Sequence, residues 1–196
     1  GKSTLIKIIS GAYQKTSGEI YIDGQKEEAL TPIKSIEKGI QVIYQDFAVF
    51  PNLTVAENIA MNKILMEKKK VINWKEAEKT ALEGMKQIGA QMDPEAVVGT
   101  LPVADKQMVA ICRAIINDAK ILILDEPTTA LTTKEISMLY KILRRLRERG
   151  MAIILVNHKL NEIYEIADRL TILRNGENVA NGTLDEFTNE RFVMCM

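Results

Sequence analysis

Neither charge imbalance nor cysteine is prominent in this chain, and both shortages narrow what it can be. Of 196 residues, 26 are Lys or Arg and 26 are Asp or Glu, which leaves a formal net charge of zero. A chain without a net field has no long-range means of gathering nucleic acid or anionic lipid. The local run Glu67-Lys68-Lys69-Lys70 reads as a solvated loop. Two cysteines, Cys112 and Cys195, are too few for a disulfide framework and point to a reducing compartment. Cys112 falls in an apolar helical pattern and is expected to be buried there. No apolar run approaches the roughly 20 residues of a transmembrane helix, and no leader pattern is visible. A role at a membrane would therefore run through a partner. Internal repeats and low-complexity segments are also missing, and histidine occurs once, at His158.

Against these shortages, 46% of the residues are apolar, enough for a core, and the length suits one domain. Residues 5–11 form a short apolar helix pattern ending at Gly11. Residues 18–22 alternate as a strand and run into Asp23-Gly24, a tight-turn signal. Thr31-Pro32 opens a helix that Gly39 stops, and 40–44 read as a strand. Residues 47–51 are irregular. Helices are expected over 54–62, 73–88 and 103–118. In the second, Asn73 and Glu76 make a capping pattern and Trp74, Ala77, Ala81, Leu82, Met85 and Ile88 share a face. The rhythm then changes: strand 121–124, helix 132–149, strand 152–156, helix 159–167, strand 170–174. Arg144, Arg145, Arg147 and Arg149 crowd the negative end of helix 132–149 and suit its dipole. Continuous Ile, Leu and Val strands separated by helices predict a parallel sheet covered on both faces. The stretch from Phe47 to about Asp118 lacks such strands and reads as a helical insertion.

The chemistry-bearing residues sit at the ends of these elements. Gly1-Lys2-Ser3-Thr4 matches the second half of the phosphate-binding loop G-x-x-x-x-G-K-[ST]. Such loops wrap phosphates in backbone N–H groups, reach the outer ones with Lys and hold Mg²⁺ with a hydroxyl at a helix N-terminus. Because the motif begins midway, the chain is expected to extend upstream of Gly1. Asp125 and Glu126 follow an apolar strand, at the carboxyl end where open α/β sheets bind ligands. The first carboxylate can help hold Mg²⁺, and the second can polarise a water against a γ-phosphate. His158 follows the next apolar strand and can donate to a γ-phosphate oxygen. Gln45, after strand 40–44, offers a neutral amide to Mg²⁺ or water.

Taken in order and spacing, these residues resemble the Walker A, Q-loop, Walker B and H-loop motifs of an ABC-type ATP-binding domain. The resemblance spans essentially the whole chain. Segments 101–109 and 125–132 look like the first of two tandem ATPase domains in monosaccharide importers of the ribose/galactose type. It implies an α/β fold, a P-loop NTPase core with a mostly parallel sheet, a small antiparallel β part and an inserted helical subdomain. Residues 1–196 would form one such domain, with 1–46 and 119–196 as the α/β core and 47–118 as the helical subdomain. It further implies ATP and Mg²⁺ as cofactors. Lys2 would contact the β- and γ-phosphates, Gly1 and Thr4 would support the phosphate site, and Ser3 would ligate Mg²⁺. Gln45 would sense the metal and the attacking water, Asp125 would support the metal, Glu126 would be the general base, and His158 would hold the γ-phosphate. Implied partners are transmembrane permease subunits, a second ATPase domain and, indirectly, a solute-binding protein, but no nucleic acid. The implied place is the cytoplasmic face of the membrane. An adenine-stacking aromatic and the strand feeding the phosphate loop would lie upstream, and 194–196 would approach a linker.

Where relatives carry the signature L-S-G-G-Q, this chain has Leu101-Pro102-Val103-Ala104-Asp105. Pro102 lacks both a hydroxyl and a backbone N–H, and Ala104 adds a Cβ where phosphate approach favours Gly. The segment would serve the partner domain's nucleotide, so one competent and one weakened site per dimer are expected. Thr132, at a position where many relatives have Asp, makes a capping box with Glu135. Two rival functions remain at this stage: a soluble ABC ATPase acting on ribosomes or DNA, disfavoured by the balanced charge, and a regulatory module that binds nucleotide without turnover, disfavoured by Glu126 and His158.

Overall fold

The computed structural model describes residues 1–66 and 73–187. The 67–70 run, Cys195 and the 194–196 segment lie outside the described residues. Helix α1 (Lys2–Ile9) starts at the phosphate-loop motif, with Gly1 as its N-cap. Its end is fixed by Gly11, whose φ of +75° favours a residue without a Cβ. A Cβ there would lie 2.3 Å from the Thr31 carbonyl carbon, so α1 is pressed directly onto the next helix start. Gly11→Ala is therefore expected to destabilise the protein by about 2–4 kcal/mol, from left-handed strain plus the backbone clash, read as a lower denaturant midpoint.

A hairpin of β1 (Ile20–Ile22) and β2 (Gln25–Glu27) turns through Asp23 and Gly24, both at positive φ, as a type I′ turn requires. Helix α2 (Pro32–Glu37) has Thr31 as N-cap, its hydroxyl accepting from the Lys34 N–H, and Pro32 in its first turn. Ser35 then donates to the Ile9 carbonyl at 2.9 Å, tying α2 to α1.

The sheet that positions the site has three parallel strands in the order β3 (Ile40–Ile43), β4 (Ile121–Asp125), β5 (Ala152–Val156). Ile43 sits opposite Leu124, and Asp125 opposite Val156, so all three chains leave the sheet on the same side. β4 is central, with Leu122, Ile123 and Leu124 fully buried. Expected coverage on both faces holds for β4 but not for β5, where Ala152 and Ile154 are exposed. β3 and β5 are both edge strands among the described residues, but only β5 leaves alternate side chains uncovered.

Helices α3 (Val55–Met66), α4 (Trp74–Ile88) and α5 (Val103–Ile116) pack on one another. Thr54 and Glu57 cap α3 reciprocally, the Glu57 carboxylate accepting from the Thr54 N–H at 2.7 Å and the Thr54 hydroxyl from the Glu57 N–H at 3.2 Å. Asn73 caps α4 as expected, but the buried face of α4 is Ala77, Thr80, Ala81, Gly84, Met85 and Ile88. Trp74 and Leu82 are exposed. The face is set by Gly84, which lets α5 approach until Ile116 and Cys112 fill the space over it. Cys112 is fully buried, and desolvation pushes its thiol up to about 12, so it acts as a small hydrophobe. One apolar cluster runs from Val55, Met85 and Ile111 through Leu122 and Leu124 to Leu139, Tyr140 and Leu143.

Helix α6 (Thr133–Glu148) begins with the Thr132–Glu135 capping box. Its arginines do more than meet a dipole: Arg144 donates to the Glu165 carbonyl at 2.8 Å and Arg147 pairs with Asp168 at 2.6 Å. These contacts hold the segment of α7 (Leu160–Ile166) and the start of β6 (Arg169–Arg174). β6 pairs antiparallel with β7 (Glu177–Thr183) around Asn175-Gly176.

Candidate functional site

Three strand ends and one helix start define the site. Asp125 is the last residue of β4, Glu126 follows it, and Asn157-His158 follow β5. Glu126 has φ +48°, the left-handed region, which is uncommon for a non-glycine residue and costs on the order of 1–3 kcal/mol. The turn is held because the Glu126 N–H donates to the Val156 carbonyl at 2.9 Å, one step past the β4–β5 register. That bond aims the Glu126 side chain across the sheet end, where its Oε1 lies 3.2 Å from His158 Nδ1. Both side chains remain open to solvent, 31% exposed for Glu126 and 55% for His158.

Burial raises the Asp125 carboxyl above its ordinary value, the Glu126 charge raises it further, and Lys2 opposes both. Asp125 thus lies within the field of Lys2, at the same sheet end where Glu126 meets His158. Gly1, Ser3 and Thr4 are exposed at the α1 N-terminus, where no side chain caps the helix. Free N–H groups and a positive helix end suit phosphate oxygens.

Gln45 is exposed in the turn after β3, at the same end of the sheet. Two consecutive residues of that turn, Phe47 (φ +59°) and Ala48 (φ +46°), are left-handed, and Arg113 of α5 donates to the Phe47 carbonyl at 3.4 Å. The turn is thereby strained and tied to α5, a coupling the sequence did not signal. Leu101-Pro102-Val103-Ala104-Asp105 lies elsewhere, at the start of α5. Pro102 is the N-cap with no capping side chain, and Lys106 donates to the Gly99 carbonyl at 3.1 Å.

No group of three or more His, Cys, Asp and Glu among the described residues could hold a metal alone. The hydroxyl of Ser3, amide of Gln45 and carboxylate of Asp125 are nonetheless hard oxygen donors, the set that suits Mg²⁺ when phosphates complete its coordination.

Sequence reasoning passed over Thr128, Tyr140 and Glu162. The Glu162 carboxylate accepts from Thr128 Oγ1, Asn157 Nδ2, Tyr140 Oη and Lys159 Nζ. Burial alone would raise its carboxyl, but the hydrogen bonds from Thr128, Asn157 and Lys159 outweigh burial and hold it below the ordinary value. Its spacing four residues after His158 was the only signal available.

The sequence model of the family described as ABC transporter matches residues 1–129. The ribose import ATP-binding protein RbsA 1 of Burkholderia ambifaria is 41% identical over 202 residues, covering 100% of this chain and 39% of that protein. RbsA 2 of Escherichia coli O157:H7 is also 41% identical, over 196 residues, covering 100% and 38%. The chain thus spans about two fifths of the length of the curated relatives it matches. Among solved structures, the dimeric post-hydrolysis state of the ATP-binding cassette MJ0796 bound to ADP and Pi superposes with a TM-score of 0.77 at 28% identity, covering 94% of this chain and 81% of that one. A nucleotide-free ATP-binding cassette from an ABC transporter gives a TM-score of 0.82 at 20% identity, covering 100% and 79%, a likeness of fold. The fold is the α/β P-loop NTPase architecture expected from the sequence.

Proposed function

This chain belongs to the ABC transporter family of ATP-binding domains, and from that premise we propose that it binds ATP with Mg²⁺ and hydrolyses it to energise import of a simple sugar. The observation that supports the reading is the contact of Glu126 with His158 at 3.2 Å beyond the ends of β4 and β5, beside an Asp125 that feels the Lys2 charge. Lys2 and the α1 N-terminus, from Gly1 to Thr4, bind the phosphates. Ser3, Gln45 and Asp125 hold Mg²⁺, which when bound offsets the charge building on the phosphates. Glu126 takes a proton from the attacking water, and His158, held against it, donates to the γ-phosphate side. Most of the catalysis is positioning and charge complementarity. Steady-state ATP hydrolysis by the full-length protein, with and without Mg²⁺, tests the reading; no Mg²⁺-dependent turnover would refute it.

Ribose in the relatives' names supports a monosaccharide cargo. Partners are permease subunits in the membrane, a second ATPase domain and, through the permease, a solute-binding protein. No helix among the described residues is long and apolar enough to cross a membrane, which fits a peripheral position on its cytoplasmic face. We further propose the division into 1–46 and 119–196 as the α/β core and 47–118 as the helical subdomain, of which 67–72 and 188–196 lie outside the described residues.

The start of α5 serves the partner domain's nucleotide, and here it does so weakly. Pro102 has no N–H to offer and Ala104 crowds the approach. Restoring Pro102→Ser with Ala104→Gly is expected to raise turnover about twofold, as a second site joins the first in stabilising transition-state charge. ATP turnover of the paired assembly checks this; loss of hydrolysis at both sites would contradict it.

A further inference from the structure

We propose that Glu162 is a positioning residue of the hydrolytic site, one carboxylate that ties the loop after β4 to the loop after β5 and so holds Glu126 against His158. The kinetic part of the proposal rests on the ATPase reading above; the structural part does not.

The contacts form a closed path. Oε2 of Glu162 accepts from Thr128 Oγ1 at 2.5 Å and from Asn157 Nδ2 at 2.6 Å, with Tyr140 Oη at 3.4 Å. Oε1 accepts from Lys159 Nζ at 2.9 Å. Thr128 lies two residues beyond Glu126 and is buried. Asn157 passes the restraint on: its Oδ1 accepts from the backbone N–H of His158 at 2.7 Å and of Lys159 at 2.9 Å. The His158 ring then meets Glu126 at 3.2 Å, completing the circuit. Tyr140, fully buried in α6, backs the carboxylate from the core.

Two features separate this from ordinary helix capping. A first-turn Glu commonly reaches back to the N-cap backbone N–H. In α7 that N–H, on Lys159, is already bound by Asn157, and Glu162 turns instead to a loop more than thirty residues earlier. Moreover, the tether is mostly buried, with a Glu162 side chain 12% exposed, whereas the two groups it positions are open to solvent. A buried anchor behind two exposed reactive side chains is the arrangement a site needs to keep its geometry.

An ionised carboxylate is required because three donors converge on one oxygen and an ammonium on the other. Glutamine cannot satisfy both ends. If its oxygen faces Thr128 and Asn157, its NH₂ faces Lys159; if it is flipped, NH₂ meets the Asn157 amide.

The test compares full-length wild type with Glu162→Gln, Asn157→Ala, the double variant and the near-isosteric Thr128→Val, each normalised to folded protein. Glu162→Gln is expected to lower kcat for ATP about 10–100-fold, the scale of a displaced catalytic group, while KM for ATP stays within about twofold. The double variant falls no further than the worse single, because both cut one path. Thr128→Val lowers kcat while leaving the His158 amide unchanged. Independently of activity, hydrogen exchange at the His158 and Lys159 amides should quicken about tenfold in Glu162→Gln. If Glu162→Gln does not fold, Thr128→Val and Asn157→Ala carry the test: kcat must fall in both. Unchanged kcat in every folded variant, or unchanged amide exchange in Glu162→Gln or Asn157→Ala, overturns the proposal. Wild type that hydrolyses no ATP would instead refute the functional reading, and exchange would still decide the tether.

Discussion

Glu126→Gln is expected to cut steady-state ATP hydrolysis by about 10²–10⁴-fold, the range for loss of a positioned general base, with ATP still bound. The residue is placed for that role by three independent features. It directly follows a buried strand, its left-handed backbone is pinned by the Val156 carbonyl, and its carboxylate meets the only histidine of the chain. Glutamine keeps the shape and can still meet His158, so the substitution removes proton acceptance and little else. Fluorescent-nucleotide binding and phosphate release on the same preparation separate the two effects. Equal phosphate release in variant and wild type would remove Glu126 from the mechanism.

Lys2→Ala is expected to act earlier, on binding. Losing a charge-assisted bond to a phosphate costs about 1.5–3 kcal/mol, or roughly 10–150-fold in ATP affinity. Lys2 also opposes the rise of the Asp125 carboxyl, so without it burial and the Glu126 charge act on Asp125 alone. Titration with ATP in excess Mg²⁺ checks the affinity; wild-type affinity in Lys2→Ala would place the triphosphate elsewhere.

Much of this arrangement was legible because each element carries a local signal. Apolar runs marked β3, β4 and β5, and Thr31, Asn73 and Thr132 marked helix starts through side chains that do accept the expected N–H groups. Lys2, Gln45, Asp125, Glu126 and His158 could be read as candidates because each opens a helix or follows an apolar strand. What escaped was set by partners distant in sequence. β2 and β7 are polar, and pairing alone makes them strands. The α4 face turned toward Gly84 because a missing side chain admits another helix, which hydrophobic periodicity scores as nothing. Trp74 and Leu82 lost their expected burial for the same reason. The exposed face of β5 depends on what packs over it, which no run of apolar letters discloses. Glu162 read as one more acidic residue on a short helix, since its meaning comes from Thr128 and Tyr140, brought to it only by folding.

A crystal structure of the full-length Glu126→Gln protein with ATP and Mg²⁺ would locate the nucleotide. The γ-phosphate is predicted to sit within hydrogen-bond reach of both Lys2 Nζ and the His158 ring, with the cation between Asp125 and the phosphates. A bound triphosphate with Lys2 and His158 on no common phosphate group would contradict the arrangement proposed for this site.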